Sequence, residues 1–599
     1  MTTRRLIGPL VLASVALASA LIVRAPALAQ TAQAESTAPR FAWDPNDPRV
    51  GLGSGWMDAE SAIWNMHHVS SLAKPEGFFN PETPGDRNFN NTDLAFRGDL
   101  LFQGNYNGFQ VYEISDPTNP ELRLSVVCPG GQGDVSVYGD LVFMSAQETR
   151  GRLDCGFEGV ADSVSTERLR GIRIFDLSDV SNPKQVAAIQ TCRGSHTHTV
   201  VTDPNDPDNV YVYNSGTSSV RPGSEMPGCS GGDPNEDPNT AYFRIEVIKV
   251  PLASPEQAEI VNMPRLFADA ETGAIAGLWQ GGDHGEGTQS TRLTHQCHDI
   301  TAYPGIGLAA GACSGNGILI DIRDPANPVR LDEVLDPNFA YWHSATFNND
   351  GSKILFTDEW GGGSAPRCRA SDPPTWGANA IFTRDGESLG LAGYYKLPVP
   401  QTVTENCVAH NGSMVPVPGR DIMVQAWYQG GISVLDFTDP ANPIEIAYFD
   451  RGPLSDTELF TGGYWSAYWY NGRIYGAEIS RGIDVFDLTV SEHLSEAELE
   501  AAKAVQVNEF NAQLQPRFEW AATPSVAQAY LDQMVRGGGI LTSRADEVRR
   551  VLEGTSSASQ LGTVAASLDA DAAAVQAGTL GGDAERLSKL AEVLRELGG

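Results

Sequence analysis

From about residue 90 to residue 490 apolar and polar side chains alternate in short runs, and the runs carry a recurring phrase. An apolar-X-apolar-X-Asp stretch leads into an Asp-Pro/Asn-Pro cluster at Gly108–Pro120 (GFQVYEISDPTNP), Gly171–Pro183 (GIRIFDLSDVSNP), Gly317–Pro328 (GILIDIRDPANP) and Gly431–Pro443 (GISVLDFTDPANP). Less regular copies lie at Arg244–Pro255, Ala380–Leu389 and Gly482–Leu488. The period-2 alternation predicts a strand, the Asp/Asn/Pro cluster a tight turn, and the apolar run beyond it a second strand. Two more strands precede the phrase. In the first copy they are Thr92–Phe96 and Leu100–Gly104, in the second Asp134–Val137 and Leu141–Ser145, in the last Ser466–Trp469 and Ile474–Ala477.

The unit is therefore four strands, a to d, from an axis outward. Its phrases begin at residues 108, 171, 244, 317, 380, 431 and 482, so the spacings are 63, 73, 73, 63, 51 and 51. Such a unit cannot bury its apolar face alone, and copies must stack on one another. Short antiparallel strands repeated about an axis predict an all-β fold, a seven-bladed β-propeller. The length variation falls between strands b and c, where Gly- and Pro-rich insertions sit at Gln147–Arg170, Ser215–Thr240 and Glu359–Asn379. The seventh copy lacks a d strand. Asn65–Lys74 (NMHHVSSLAK) has the alternation of one and is expected to pair with the last blade, removing an open sheet edge.

The ends have other patterns. Arg4 and Arg5, apolar Leu6–Val23 and Ala27-Leu28-Ala29 read as a signal peptide over residues 1–29, with twin-arginine export and a retained membrane anchor left open. No other stretch is apolar enough to span a bilayer. An extension covers residues 30–62, the propeller 63–494, a helix and linker 495–522, and a small α-helical bundle 523–599. Ser495 with Glu498 forms a capping box for a helix over Ser495–Val505. Thr523-Pro524 opens a helix that stops at Gly537–Gly539, a second covers about Arg544–Leu552, and a last one follows Asp583. Leu587, Leu590, Ala591, Leu594 and Leu597 make one apolar stripe on that last helix, expected as core rather than as a partner surface.

Eight cysteines in an exported chain predict disulfides, with roughly 105 pairings open to sequence alone. In a propeller the d-to-a connections and the b-to-c loops emerge on one face. Cys128, Cys192 and Cys407 precede a strands, whereas Cys155, Cys229 and Cys368 lie in b-to-c insertions. The expected bridges are Cys128–Cys155, Cys192–Cys229 and Cys368–Cys407, leaving Cys297–Cys313. No Cys-X-X-Cys occurs, which argues against a thiolate metal cluster. The formal charge of −34 disfavours nucleic acid and anionic lipid as partners.

Candidate chemistry rests on histidines. Of ten, six lie near starts of a strands: His196, His198, His295, His298, His343 and His410. His198, His298, His343 and His410 share one strand phase in blades three to six, where blade seven has Trp465. Equivalent positions on innermost strands converge on the central channel, so these four are expected at one channel mouth, with His196 and His295 secondary. Imidazole nitrogens suit copper, zinc or iron, and Asp299 and Glu405 are candidates to orient the rings. The competing expectation is that the histidines, Asn411 and Asp134 hydrogen-bond channel water and neighbouring strands. His67 and His68, on the inferred closing strand, are expected to pack rather than ligate; His284, in the Gly-rich GGDHGEG loop, is a candidate for a lid, and His493 before the tail is read as incidental. No Gly-X-Ser-X-Gly is present, and GGQG and GGDHGEG do not open helices. Trp342, Trp360, Trp376, Trp427, Trp465 and Trp469 cluster in the last blades as core, or as a platform for carbohydrate or an apolar ligand.

The repeated phrase, together with GNYNGFQVYEISDPTNP, CPGGQGDVSVYGD, GSHTHT, HQCHDITAYPGIGLAAGACSGNG, YWHSATFNNDG and CVAHNGS, resembles the LVIVD-repeat family of secreted bacterial proteins over about Asn65 to Leu488. The resemblance implies a propeller that is secreted, periplasmic or at the cell surface, and it implies no defined activity. A more distant similarity is to selenium-binding proteins and methanethiol oxidases, propellers with histidine-bound copper; no motif matches theirs residue by residue, so no site is carried over. Two functions stand against each other. One is an exported binding or scaffold protein that meets an unidentified ligand or protein through its loop-rich, disulfide-pinned face. The other is a metal-dependent oxidoreductase using the histidine set.

Overall fold

The computed structural model describes residues 44–599, apart from 84, 270 and 555; the predicted signal segment and the start of the extension lie outside the described residues. The fold is mostly β, with seven sheets among the described residues and a C-terminal helical segment. The innermost strands are β1 (Asn91–Arg97), β2 (Gln132–Tyr138), β3 (His198–Thr202), β4 (Asp299–Tyr303), β5 (Trp342–Phe347), β6 (Asn411–Val415) and β7 (Tyr464–Tyr470). Each starts an antiparallel meander running outward, as in β1, Leu100–Asn105, Gly108–Glu113 and Glu121–Val127. Meanders six and seven join into one nine-stranded sheet where β6 pairs with β7 in parallel. A separate two-stranded ribbon, Gly282–Asp283 with Ser290–Thr291, belongs to the insertion before β4.

The phrase has a physical basis at both ends. Gly108, Gly171 and Gly482 sit at φ +139°, +149° and +141°. A Cβ there would lie within 2 Å of Val126 O, Ile189 O and Leu72 O, so only glycine admits the neighbouring strand. The turn aspartates accept backbone bonds two residues on: Asp116 from Thr118 N at 3.0 Å, Asp179 from Ser181 N at 3.0 Å, Asp439 from Ala441 N at 3.0 Å. These Asx turns fix where strand c ends and strand d begins.

Strands a to c are buried on both faces, their polar residues included, while outer strands such as Glu121–Val127 stay half-exposed. The core lies between sheets. Ile172 and Ile174 of the second pack with Val200 and Val212 of the third. Phe96 and Leu101 of the first pack with Tyr468, Tyr475 and Val485 of the last. The Met66–Ala73 strand pairs antiparallel with Gly482–Leu488, as its alternation anticipated. A strand that the pattern did not reveal, Ser61–Trp64, adds to the outer edge of the sixth meander against Ile444–Arg451. The four disulfides are Cys128–Cys155, Cys192–Cys229, Cys297–Cys313 and Cys368–Cys407, the pairs drawn from strand order.

The C-terminal segment contains α1 (Glu496–Ala504), α2 (Pro524–Gly537), α3 (Thr542–Glu553), α4 (Ala558–Gln576) and α5 (Ala584–Gly598). The capping box of α1 forms through Ser495 and Glu498, and Thr523 and Asp583 cap α2 and α5. Helix α4 was not anticipated, although Leu561, Val564, Ala565, Leu568 and Ala572 recur at helical spacing and are buried. Leu587, Leu590, Ala591 and Leu594 are buried in a core shared with α2, α3 and α4.

The segment between α1 and α2 is not a free linker. Glu509–Asn511 pairs with β1 on its axial side. Beyond it, the Asn511 side chain bonds both Val137 N and Val137 O, Gln513 Nε2 donates to Asp93 at 2.9 Å, and Gln515 bonds both Phe347 N and Phe347 O. Ala302 N and O bond Gln513 O and Gln515 N. This strap thus ties β1, β2, β4 and β5 together. Past it, Trp520, Gln533 and Arg586 donate to Pro416 O, Pro418 O and Gly419 O, which fastens the helices to the turn after β6.

Candidate functional site

Three of the four phase-matched histidines meet. His298 precedes β4, where its N–H donates to Ala312 O; His410 precedes β6, where its N–H donates to Ala426 O. His343 lies inside β5 at an irregularity between Trp342 and Ala345, and the bulge leaves it out of the ladder and turns it inward. Ring centroids are 3.9 Å apart for His298–His343 and 4.3 Å for His343–His410, with Trp465 edge-on to His410 at 5.1 Å.

His198 does not join them. Its Nδ1 bonds Ser145 Oγ at 2.8 Å, between the second and third meanders. Simple alternation misplaced it because the chain ahead of β3 is not extended: Gly194 has φ +71° and the Ser195 hydroxyl folds back onto Thr197 O. His196, ranked secondary, instead lies 4.3 Å from His298, but both of its ring nitrogens are engaged by Gln132 and Gln147. His295 stands apart beside Tyr242. Glu405 is also elsewhere, accepting from Thr402.

The carboxylate at the cluster is Glu359, which the sequence pattern did not single out. It follows Lys353–Asp358 at the start of a b-to-c insertion, with its N–H on Tyr341 O. Its Oε2 lies 3.8 Å from His343 Nε2 and its Oε1 3.8 Å from His410 Nε2, while Oε1 also accepts from Tyr428 Oη at 2.6 Å. His410 Nδ1 donates to Trp465 O, so its Nε2 presents a lone pair. Both Nε2 atoms, of His343 and His410, are buried without a hydrogen-bond partner. His343, Glu359 and His410 offer one ligand atom each within 4.8 Å of one another, and so do His298, Asp299 and His343.

Burial keeps this cluster uncharged. It pushes His298 and His410 down to about 3 and His343 well below the usual imidazole range, and neighbouring imidazoles add to the shifts of His343 and His410. Burial, reinforced by Asp299 and Asp358, pushes Glu359 up to about 8. Asp299 accepts from His298 Nδ1 at 2.9 Å and rises to about 7 by burial. Deeper toward the strap lie Asp93, raised to about 6 by burial, and Asp134, raised by burial and by the charges of Asp93 and Asp299.

Above the histidines opens a cavity of about 520 Å³. Its floor is His298, Glu359 and His410, and its walls include Tyr106, Tyr341, Tyr428 and Trp465. The lining comes from segments preceding the innermost strands and from b-to-c loops, the same two kinds of connection that carry six of the eight cysteines. Of the described tryptophans, only Trp465 lines this cavity; Trp342 and Trp427 are fully buried core. His284 stacks on Trp279, and His68 bonds Asp484.

No family model matches the chain, and no curated protein matches it. Solved structures similar to it include a protein described as a 6-phosphogluconolactonase from Bacteroides fragilis (9% identity, 64% of this chain and 88% of that one, TM-score 0.36). Others are the N-terminal domain of Nup159 (10%, 73% and 98%, TM-score 0.38) and a Lactobacillus plantarum protein (12%, 67% and 96%, TM-score 0.37). Likenesses at this level carry no argument about activity.

Proposed function

We propose that this chain is an exported seven-bladed propeller of the LVIVD-repeat kind, closed by its N-terminal strand, that binds a small ligand on its disulfide-pinned face. The cavity over His298, Glu359 and His410 is the observation that carries the reading: it is concave, mixed aromatic and polar, and framed by cross-linked loops. The pairing of Met66–Ala73 with Gly482–Leu488 and the packing of the first sheet against the last support ring closure. Four disulfides fit an oxidising compartment outside the cytoplasm. Among the described residues no helix is long and apolar enough to cross a membrane. A thermal-shift screen of small molecules tests the reading. Ligands should raise Tm with concentration in the wild type and not in Thr461→Trp, which fills the mouth. Hits that stabilise both forms equally refute it.

A second reading is favoured by one observation, the unpartnered Nε2 atoms of His343 and His410 facing Glu359. These three groups would hold zinc, copper or iron. Bonds of about 2.0–2.1 Å place tetrahedral ligand atoms ~3.4 Å apart, slightly closer than the 3.8 Å here, so a small contraction would suffice. The cavity above would leave room for an exogenous ligand, the requirement for metal-assisted chemistry. Elemental analysis decides: stoichiometric metal lost in His343→Ala with His410→Ala supports this reading, and metal-free folded protein after growth with all three metals removes it.

A further inference from the structure

Two guanidinium groups, Arg87 and Arg292, line the same cavity. Both residues are exposed, and among the described residues neither side chain makes an ion pair or hydrogen bond. The chain as a whole carries 75 acidic residues against 41 basic ones. Many arginines are taken: Arg49 by Asp47 and Glu445, Arg168 and Arg221 by Glu225, Arg451 by Asp484, Arg481 by Glu478. Arg265, Arg367 and Arg517 are likewise without an ion pair or side-chain hydrogen bond among the described residues, but of these five only Arg87 and Arg292 line the cavity. They come from separate connections, one in a 3-10 turn before β1 and the other between the ribbon and β4, yet they converge on one opening.

Below them the walls are aromatic. Tyr106, Tyr341, Tyr428 and Trp465 present ring surface, and Tyr428 is held by its bond to Glu359. The wall at Gly361–Gly363 carries no side chain; a Cβ on Gly363 would strike Tyr428 Oη at 2.1 Å. An apolar body can therefore slide between the rings while its head stays at the arginines. Planar guanidinium groups pair well with two-oxygen anions, and rings stack with rings.

We propose that the cavity takes a small organic anion, an aromatic or apolar body bearing a carboxylate, sulfonate or phosphate head, and that Arg87 and Arg292 are its charge contacts. This rests on the ligand-binding reading of the same cavity.

The test uses two fluorescent probes with one skeleton, the anion 1-anilinonaphthalene-8-sulfonate and its neutral parent N-phenyl-1-naphthylamine, titrated into the full chain at low salt. The sulfonate should bind roughly tenfold tighter, the combined effect of two exposed charge contacts. Arg87→Gln with Arg292→Gln, both surface changes, should erase that advantage and leave the neutral probe unchanged. Equal affinities in the wild type, or an advantage that survives the double substitution, overturn the proposal while the neutral probe still reports a ligand cavity. If Thr461→Trp leaves both titrations unchanged, the cavity is not where small molecules bind, and the proposal falls with the reading beneath it.

Discussion

Gln515→Leu tests whether the strap across the innermost strands holds them together. In the wild type Gln515 Nε2 donates to Phe347 O at 2.7 Å and its Oε1 accepts from Phe347 N at 2.9 Å. All four atoms are buried, and Gln515 is 8% exposed. Leucine has a similar volume but no polar atoms, so both Phe347 groups lose their partner without gaining water. An unsatisfied buried backbone group costs about 1–3 kcal/mol, and relaxation recovers part of it, which leaves about 2–4 kcal/mol for the pair. Each 1.4 kcal/mol is a factor of ten, so the opening equilibrium of this region should rise roughly 30- to 1000-fold. Hydrogen exchange read by mass spectrometry on peptides spanning Trp342–Phe347 and Glu509–Gln515 measures that opening. The expected result is faster exchange in both peptides with the helical segment unchanged. Exchange within a factor of two of wild type would refute the claim that this side chain fastens the strap to β5.

Other outcomes follow from groups with clear partners. Glu498 is fully buried between Arg420 and Arg536, so Glu498→Ala should cost about 3 kcal/mol and detach α1 from α2, seen as earlier proteolysis within residues 505–523. Removing Cys368–Cys407, which closes a separation of 39 residues, should cost about 4 kcal/mol by loss of the loop constraint; Cys368→Ser with Cys407→Ser should lower the denaturant midpoint, and a midpoint unchanged on reduction of the wild type would contradict this. Asp450, raised to about 8 by burial and by Glu405, keeps its proton in the folded chain and loses it near pH 4 in the unfolded one. Its contribution is present below pH 4 and is lost as pH rises through 8, with a slope of at most about 1.4 kcal/mol per pH unit. Asp450→Asn, which keeps the bond partner of Gln401, should therefore be flatter than wild type from pH 5 to 9 in chemical denaturation; parallel curves would count against it.

The sequence by itself determined what repeats and what is local. Glycine at the start of five of the seven phrases, the Asx turns of Asp116, Asp179 and Asp439, and alternation on strands a to d are short-range effects, so they were legible without coordinates. The cysteine pairs were legible because bridging needs only the order of strands and the side on which their connections emerge. Three of the four phase-matched histidines converge, His298 and His410 from just ahead of their strands and His343 from a bulge inside its own, while His198 lies apart behind a turn at Gly194. What only the tertiary structure decided lies between segments far apart in the chain. Glu359 reaches His410 across an insertion, Arg87 and Arg292 line one opening from separate connections, and Asn511, Gln513 and Gln515 satisfy strands hundreds of residues upstream. No periodicity marks such residues. A single polar side chain in a loop or strap has no local pattern to obey, and its partner is set by where the sheets bring their edges together.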